Sequence, residues 1–287
     1  MGTVSGDNYA ITYVGADLTI SKRSVTITAK DQTIAYGSAI SAAEITAAGL
    51  AEGHTVTVTL TPSTANVTVD GTITASAAVI TADGADVTAN YEISYAGGKL
   101  VIKPDTSNIQ DLNSENVTSE NEDDIKAVQD MLENADSLDE TWKDILDKCD
   151  ELMDRIDEVE AKQKEASDAA EAYDEPSINS SDEAELEELA KDIEALLDTK
   201  NLTDDERTAL EETLDQVEDM LDTIADTAED SKAASDVIDA LTPEKVTSAD
   251  QQGLKQAIDA IEELLSSGHL TEEERKALAD AKAEADV

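Results

Sequence analysis

Phenylalanine is absent from this chain, tryptophan occurs once and tyrosine six times. Any core must be assembled from Val, Ile, Leu and Ala. These bury modest area per residue, so each folding unit is expected to be only marginally stable alone. A single cysteine, Cys149, excludes an internal disulfide, and so low a cysteine content fits export and cytosol alike. No run approaches the roughly 18 consecutive apolar residues of a membrane-spanning helix. Basic side chains are scarce: 20 Lys and Arg stand against 67 Asp and Glu, net −47. Such an excess repels nucleic acid and anionic membranes. It keeps a chain soluble and stiffens one that repels itself. The other use for it is binding divalent cations or a basic partner, and no Asp-x-Asp-x-Asp-Gly loop supports calcium. The two histidines, His54 at a strand start and His269 in a helix–helix loop, read as surface or turn residues and not as metal ligands. No signal peptide is legible, because Met1-Gly2 leads directly into polar sequence. For a surface protein this makes the chain an expected excised fragment.

The charge is unevenly placed. Residues 1–103 hold 9 acidic and 5 basic side chains, net −4, and residues 104–287 hold the other 58 and 15, net −43. Two unlike domains joined near Pro104 are expected. In the first, apolar residues alternate with Thr and Ser: Val25, Ile27 and Ala29 against Ser24, Thr26 and Thr28; Val56, Val58 and Leu60 against Thr55, Thr57, Thr59 and Thr61. Short alternating runs bounded by Gly, Pro, Asn and Asp predict an all-β module. Its end is duplicated. NYAITYVGADLTI at 8–20 recurs as NYEISYAGGKLVI at 90–102, offset by 82 residues throughout. Each copy reads as a hairpin with Tyr, Ile and Tyr on one strand, a Gly-bearing turn, then Leu and Ile. A terminal hairpin repeated one module apart marks a tandem array. Residues 1–21 are then the closing hairpin of a truncated preceding module, and residues 22–104 form one complete module.

VTITAKDQTIAYG at 25–37, GLAEGHTVTVTLTPS at 49–63 and the Asn-Tyr-x-Ile hairpin make this half resemble the MBG-type repeats of bacterial surface proteins, in the variant marked by a Tyr-Gly pair. The resemblance implies a small β-sandwich- or β-grasp-like fold, an extracellular spacer or adhesin role, and no catalytic residues. Some Gram-positive surface domains cross-link a buried Lys to an Asn. The available groups are Lys22, Lys30, Lys99 and Lys103 with Asn8, Asn66 and Asn90, and they read instead as ordinary surface Lys and turn Asn.

Residues 105–119 read as a polar linker, after which the apolar period changes to three and four. Trp142, Ile145, Cys149, Leu152, Ile156, Val159, Gln163, Ala166, Ala170 and Tyr173 form one heptad seam, without Pro or Gly, that needs partner helices along its length. A thiol on that seam is a small buried hydrophobe. NLTDDERTAL at 201–210 matches HLTEEERKAL at 269–278, and 178–197 matches 246–265, both offset by 68; a divergent first copy begins at Val117. The repeats run about 117–175, 176–243 and 244–287, each a short helix and then one about twice as long. Capping boxes are expected at Ser119/Glu122, Ser180/Glu183, Ser248/Gln251, Thr203/Glu206 and Thr271/Glu274. Asn201 and Gly268 fit C-terminal caps. Long helices with short neighbours pack economically as overlapping three-helix bundles that share continuous helices, making 120–287 an extended rod. The first pair, 120–135 and the start of 139–173, lacks a third helix. SLDETW at 137–142 and the Ala-Ile-x-x-Ile-x-x-Leu-Leu run at 257–265 look like FIVAR-type and spectrin-like three-helix modules of Gram-positive surface proteins.

No catalytic, cofactor-binding or metal-binding residue is expected. The histidines and the cysteine lie far apart, and carboxylate pairs abound only because the helices are acidic. The expected role is a stalk segment of an adhesin-like protein, extracellular and cell-wall anchored in its full-length form, with neighbouring modules of the same protein as partners. The alternative is a module that recognises host glycan, mucin or serum protein.

Overall fold

The computed structural model describes residues 12, 14–173, 175–240, 247 and 250–285. Its contacts divide the chain into two units, Met1–Asp105 with Met131–Trp142, and Thr106–Asp130 with Lys143–Val287. An all-β module is followed by a helical region, as the change of period predicts.

The β-module has strands β1 (Arg23–Ala29), β2 (Gln32–Ala35), β3 (Ile45–Ala48), β4 (His54–Pro62), β5 (Thr68–Ala82), β6 (Ala85–Asp86), β7 (Tyr91–Ala96) and β8 (Gly98–Lys103). They form two mixed sheets, ordered β3-β1-β7 and β2-β8-β5-β4, with β6 paired to β5. Two long stretches pass from one sheet into the other. β1 runs parallel to β7 from Arg23↔Tyr91 to Thr28↔Ala96, and β2 runs parallel to β8 from Gln32↔Leu100 to Ala35↔Lys103. The register is constant across the break, so β1–β2 and β7–β8 travel side by side.

This corrects the hairpin reading of 90–102. β7 and β8 do not pair with each other; they lie in different sheets. The glycine between them serves close approach and not a turn. A Cβ on Gly98 would stand 2.6 Å from the carbonyl oxygens of both Ala29 and Lys30, where the neighbouring stretch makes the same crossing. The true tight turn lies elsewhere, at Asp83 and Gly84, both at positive φ (49° and 81°) between β5 and β6.

The other copy of the motif fares differently. Tyr9, Ile11 and Tyr13 lie outside the described residues. Residues 14–20 form no strand, and Val14, Leu18 and Ile20 are exposed. In the complete copy Leu100 and Ile102 are fixed between β2 and β5. Those places are already filled by β8, so the duplicate Leu18 and Ile20 have no ladder to join.

Two apolar clusters form the β core. Ala29, Ile73, Ala75, Leu100 and Ile102 make one, and Val25, Ile80 and Tyr91 the other. β5, at 15 residues, contributes to both. A fully buried Ile such as Ile27, Ile73 or Ile80 contributes about 1.5–3 kcal/mol by burial. Segment 136–137 completes this unit. The Asp136 N–H donates to the Val67 carbonyl (2.9 Å), and Ser137 Oγ accepts from the Val69 N–H (3.1 Å) and meets Thr68 Oγ1 (2.9 Å).

The helices are α1 (Glu122–Glu133), α2 (Glu140–Glu171), α3 (Glu183–Leu197), α4 (Asp204–Asp239), α5 (Asp250–Ser266) and α6 (Glu272–Ala285). The seam of α2 is buried at Trp142, Cys149, Leu152, Ile156, Val159, Ala166 and Ala170. Burial pushes the Cys149 thiol above its usual pKa, which keeps it protonated and unreactive.

Two bundle cores follow, and α4 belongs to both. In the first, the second half of α2 (Val159, Ala166, Ala170) packs with α3 (Leu186, Ile193, Leu196) and the first half of α4 (Leu210, Val217, Met220, Ile224). In the second, the end of α4 (Ala234, Ile238) packs with α5 (Ala257, Ile261, Leu264) and α6 (Leu278). The buried stripe of α5 centres on 257, 261 and 264, whereas 254, 258 and 265 are half-buried.

Segment 105–119, read as a linker, also packs. Ile109 and Val117 are each 1% exposed. Lys148 Nζ donates to the Ile109 (2.9 Å) and Gln110 (3.2 Å) carbonyls.

Candidate functional site

The helical unit repeats two features, a hydrogen-bonded joint and a surface groove. Each joint ties the segment before one repeat's first helix to the start of the second helix of the next repeat. That second helix is long in α4 (36 residues) but not in α6 (14 residues), so the expected short-then-long order fails in the last repeat. In the first, Ser119 Oγ donates to Glu206 Oε1 (2.7 Å), and the buried Asn201 amide donates to the Ser114 (3.1 Å) and Val117 (2.8 Å) carbonyls. Asn201 Oδ1 accepts from Arg155 (3.0 Å). In the second, Ser180 Oγ donates to Glu274 Oε1 (2.6 Å), and His269 Nδ1 lies 3.1 Å from the Ile178 carbonyl. A carbonyl only accepts, so that ring nitrogen carries the proton.

Both joints are built on the predicted capping boxes of α4 and α6. The N–H of Thr203 donates to Glu206 Oε2 (2.7 Å) and that of Thr271 to Glu274 Oε2 (2.8 Å). Each carboxylate thus serves its own helix with one oxygen and the neighbouring repeat with the other. Burial raises both carboxyls, but the hydroxyl of Ser119 or Ser180 and the N–H and hydroxyl of Thr203 or Thr271 outweigh it. Both are held below the usual glutamate value.

Three expectations are corrected here. The boxes at the short helices are not formed as expected. A reciprocal box stands one residue earlier, at Thr118/Asn121. α3 has Asp182 at its N-cap with no side-chain cap, and before α3 and α5 only the one-way bond from Asn179 or Thr247 is made. Thr118 N–H donates to Asn121 (3.0 Å), Asn179 N–H to Asp182 (3.0 Å) and Thr247 N–H to Asp250 (2.8 Å). Ser119 and Ser180 thus serve the joints instead, and Ser248 lies outside the described residues. Asn201 is no C-cap but a joint residue, and Gly268, two residues past the end of α5 at Ser266, is not among the glycines at positive φ that a left-handed cap needs. The carbonyls at the ends of α3 and α5 are taken instead by arginine. Arg207 donates to the Leu197 and Thr199 carbonyls and Arg275 to those of Leu265 and Ser267. Arg207 and Arg275 stand at one position of the repeated Asp/Glu-Glu-Arg run, which was the available signal. His269 lies in the helix–helix loop, as expected, and there it is half-buried and takes part in the joint.

The grooves obey the same 68-residue step. One, of about 550 Å³, lies between α2 and α3. The other, of about 440 Å³, lies between α4 and α5. Ala166, Ala169, Leu189 and Leu196 of the first correspond to Ala234, Val237, Ala257 and Leu264 of the second.

The β-module offers a different surface. Tyr91 is core, its hydroxyl accepting from the Ala51 N–H (3.2 Å) and lying 2.8 Å from His54 Nδ1. Tyr95 and Tyr36 are 43% and 44% exposed, so the tyrosines do not all pack on one core face. Lys22, Lys30, Lys99 and Lys103 are all exposed, Lys30 in an ion pair with Glu44 at 3.0 Å. No apolar pocket surrounds any of them, as a cross-link would need. Among the described residues no three His, Cys, Asp or Glu side chains are grouped to hold a metal ion. None of the helices among those residues is long and apolar enough to cross a membrane.

The Tyr36-Gly37 pair forms a tight turn after β2. Ser38 N–H donates to the Ala35 carbonyl (3.0 Å), with Gly37 at φ 76°. Only glycine adopts that conformation without strain. Residues 25–101 match the family model of the MBG domain (YGX type). The MBG-like module therefore spans the crossing strands from β1 to β8, in agreement with the resemblance carried by 25–37 and 49–63. It is consistent with a module of a bacterial surface protein. No curated protein and no solved structure matches the chain.

Proposed function

We propose that this chain is a non-catalytic extracellular spacer, a stalk segment of a bacterial cell-surface adhesin-like protein that is wall-anchored in its full-length form. The observation that carries this reading is recurrence. The same core and capping carboxylate return at a 68-residue step, and the serine that meets that carboxylate returns 61 residues on. Adjacent bundles share one continuous helix instead of a flexible connection. Sharing α4 means that tilting one bundle against the next requires bending a helix, which favours a stiff spacer. The like charge of the helical half adds self-repulsion that favours extension.

The test is small-angle X-ray scattering of the full chain at physiological salt. A compact fold of this length has a radius of gyration of about 19 Å. A rod some 100 Å long, from helices rising about 1.5 Å per residue, gives roughly 30 Å or more. A value near the compact figure rejects the spacer. The second reading, a module recognising host glycan, mucin or serum protein, is favoured by the exposed Tyr36 and Tyr95 of the MBG-like module. Saturable binding by the intact chain, lost on replacing both tyrosines with serine, supports it.

A further inference from the structure

We propose that the two grooves of the helical unit are docking sites for cationic amphipathic helical peptides, one peptide per groove. This goes beyond the spacer reading and fails or succeeds separately from it.

The floors are apolar and low. Ala166 and Ala169 of α2 face Leu189 and Leu196 of α3, and Ala234 and Val237 of α4 face Ala257 and Leu264 of α5. Small side chains between two helices let a third helix lie close, with its large apolar residues filling the trough. The volumes, about 550 and 440 Å³, fall within the range of binding pockets, roughly 300–1,000 Å³. Val237 is 39% exposed on such a floor, surface that an apolar face would cover.

Charge decides the occupant. The rim of the first groove carries Glu165, Glu185, Glu188 and Asp192, and that of the second Asp230 and Glu263. On the first rim Arg155 pairs with Glu158 (2.9 Å) and bonds Asn201, Lys162 pairs with Glu158 (2.7 Å) and Glu188 pairs with Lys191 (3.0 Å). Among the described residues this leaves Glu165, Glu185 and Asp192 without an ion pair. The rim field is therefore negative in both grooves. A second copy of this chain, itself at −47, is repelled from it. A helix with lysines flanking an apolar stripe is attracted and steered.

The test titrates the full chain into a fluorescent amphipathic Leu/Lys helix of about 18 residues, in physiological salt, beside a scrambled peptide of equal charge. The expected result is saturable binding of two peptides per chain, with the scramble about tenfold or more weaker, because it presents charge without an apolar face. Ala169→Arg and Val237→Arg occupy corresponding places on the two floors, and each should remove one of the two sites. Asp192→Asn with Glu263→Gln, on exposed rims and harmless to the fold, should weaken binding several-fold and flatten its salt dependence. Circular dichroism checks that helix content is kept. Equal binding of the scramble overturns the proposal, since it reduces the interaction to general attraction for a polyanion. So does an unchanged stoichiometry in the floor variants, or self-association of the chain that the floor variants abolish.

Discussion

The β-module and the helical unit reach stability by opposite routes. In the β-module the decisive contacts join residues far apart in sequence. β1–β2 is held by β7–β8 at a constant separation of 68 residues, and β5 links both apolar clusters. In the helical unit much of the order is local, and the hydrogen bonds of longest sequence range are those of the joints. The charge follows the same division. The sheets need only −4, while the helices carry −43 on faces turned outward, partly relieved by pairs such as Lys164–Asp168 (2.5 Å) and Lys232–Asp236 (2.8 Å). Such exposed pairs contribute little each, about 0–1 kcal/mol. The helical cores must therefore be held by their apolar seams, and a defect should be absorbed by the repeat that contains it. A defect in the sheets should spread through the whole module.

The strongest way to break the comparison is Gly98→Val. Its Cβ would stand 2.6 Å from two carbonyl oxygens, so β1–β2 and β7–β8 cannot both cross there. The expected cost exceeds about 4 kcal/mol. Hydrogen exchange should lose protection throughout 23–103 while α3 to α6 keep theirs.

Next come Ile193→Ala and Ile261→Ala, at corresponding, fully buried places in the two bundles. Each should cost about 2–5 kcal/mol in denaturant unfolding. Exchange should rise in the bundle that carries the substitution and less in the other. Equal rises in both would mean that the repeats unfold as one body.

A smaller effect is expected at the joints. The folded-state pKa values of Glu206 and Glu274 lie below the ordinary value of 4.5. Their contribution is therefore complete above that pH and is lost as pH falls through the lower folded value. Glu206→Gln should cost about 0.5–1.5 kcal/mol at neutral pH. Its difference from the parent chain should vanish in acid, as followed by melts across pH 3–7.

The smallest change should stabilise. Ala77 sits at φ 51° within β5, near the register shift opposite Thr57 and Thr59. A left-handed conformation costs a non-glycine residue about 1 kcal/mol. Ala77→Gly should raise the melting temperature of the β-module by a few degrees and leave the helices unchanged.

The two units were also unequally legible. Periodicity and the 68-residue offset disclosed the helices, the seam of α2, the double use of α4 and the capping boxes of α4 and α6, because helical order is written in neighbours three and four apart. The joints were not legible. Ser119 and Glu206 stand 87 residues apart, and nothing local distinguishes a serine that caps its own helix from one that bonds the next repeat. The β-module gave its strands but not its topology. Gly97-Gly98 between two alternating runs reads as a turn, and only the parallel partner at 23–35 reveals a strand changing sheets. The copy at 8–20 misled for the same reason, since its pattern describes a strand whose partners must come from elsewhere.

The central claim is that one uninterrupted helix serves two bundles, and the middle of α4 tests it most directly. Residues 225–233 lie between the last first-core residue, Ile224, and the first second-core residue, Ala234. Hydrogen exchange of those amides in the intact chain is the measurement. Protection well above that of an unstructured peptide, continuous from α4's first core to its second, is the predicted result. Exchange at the free-peptide rate across 225–233, with protection on either side, would show two separate helices joined by a hinge and would contradict the account.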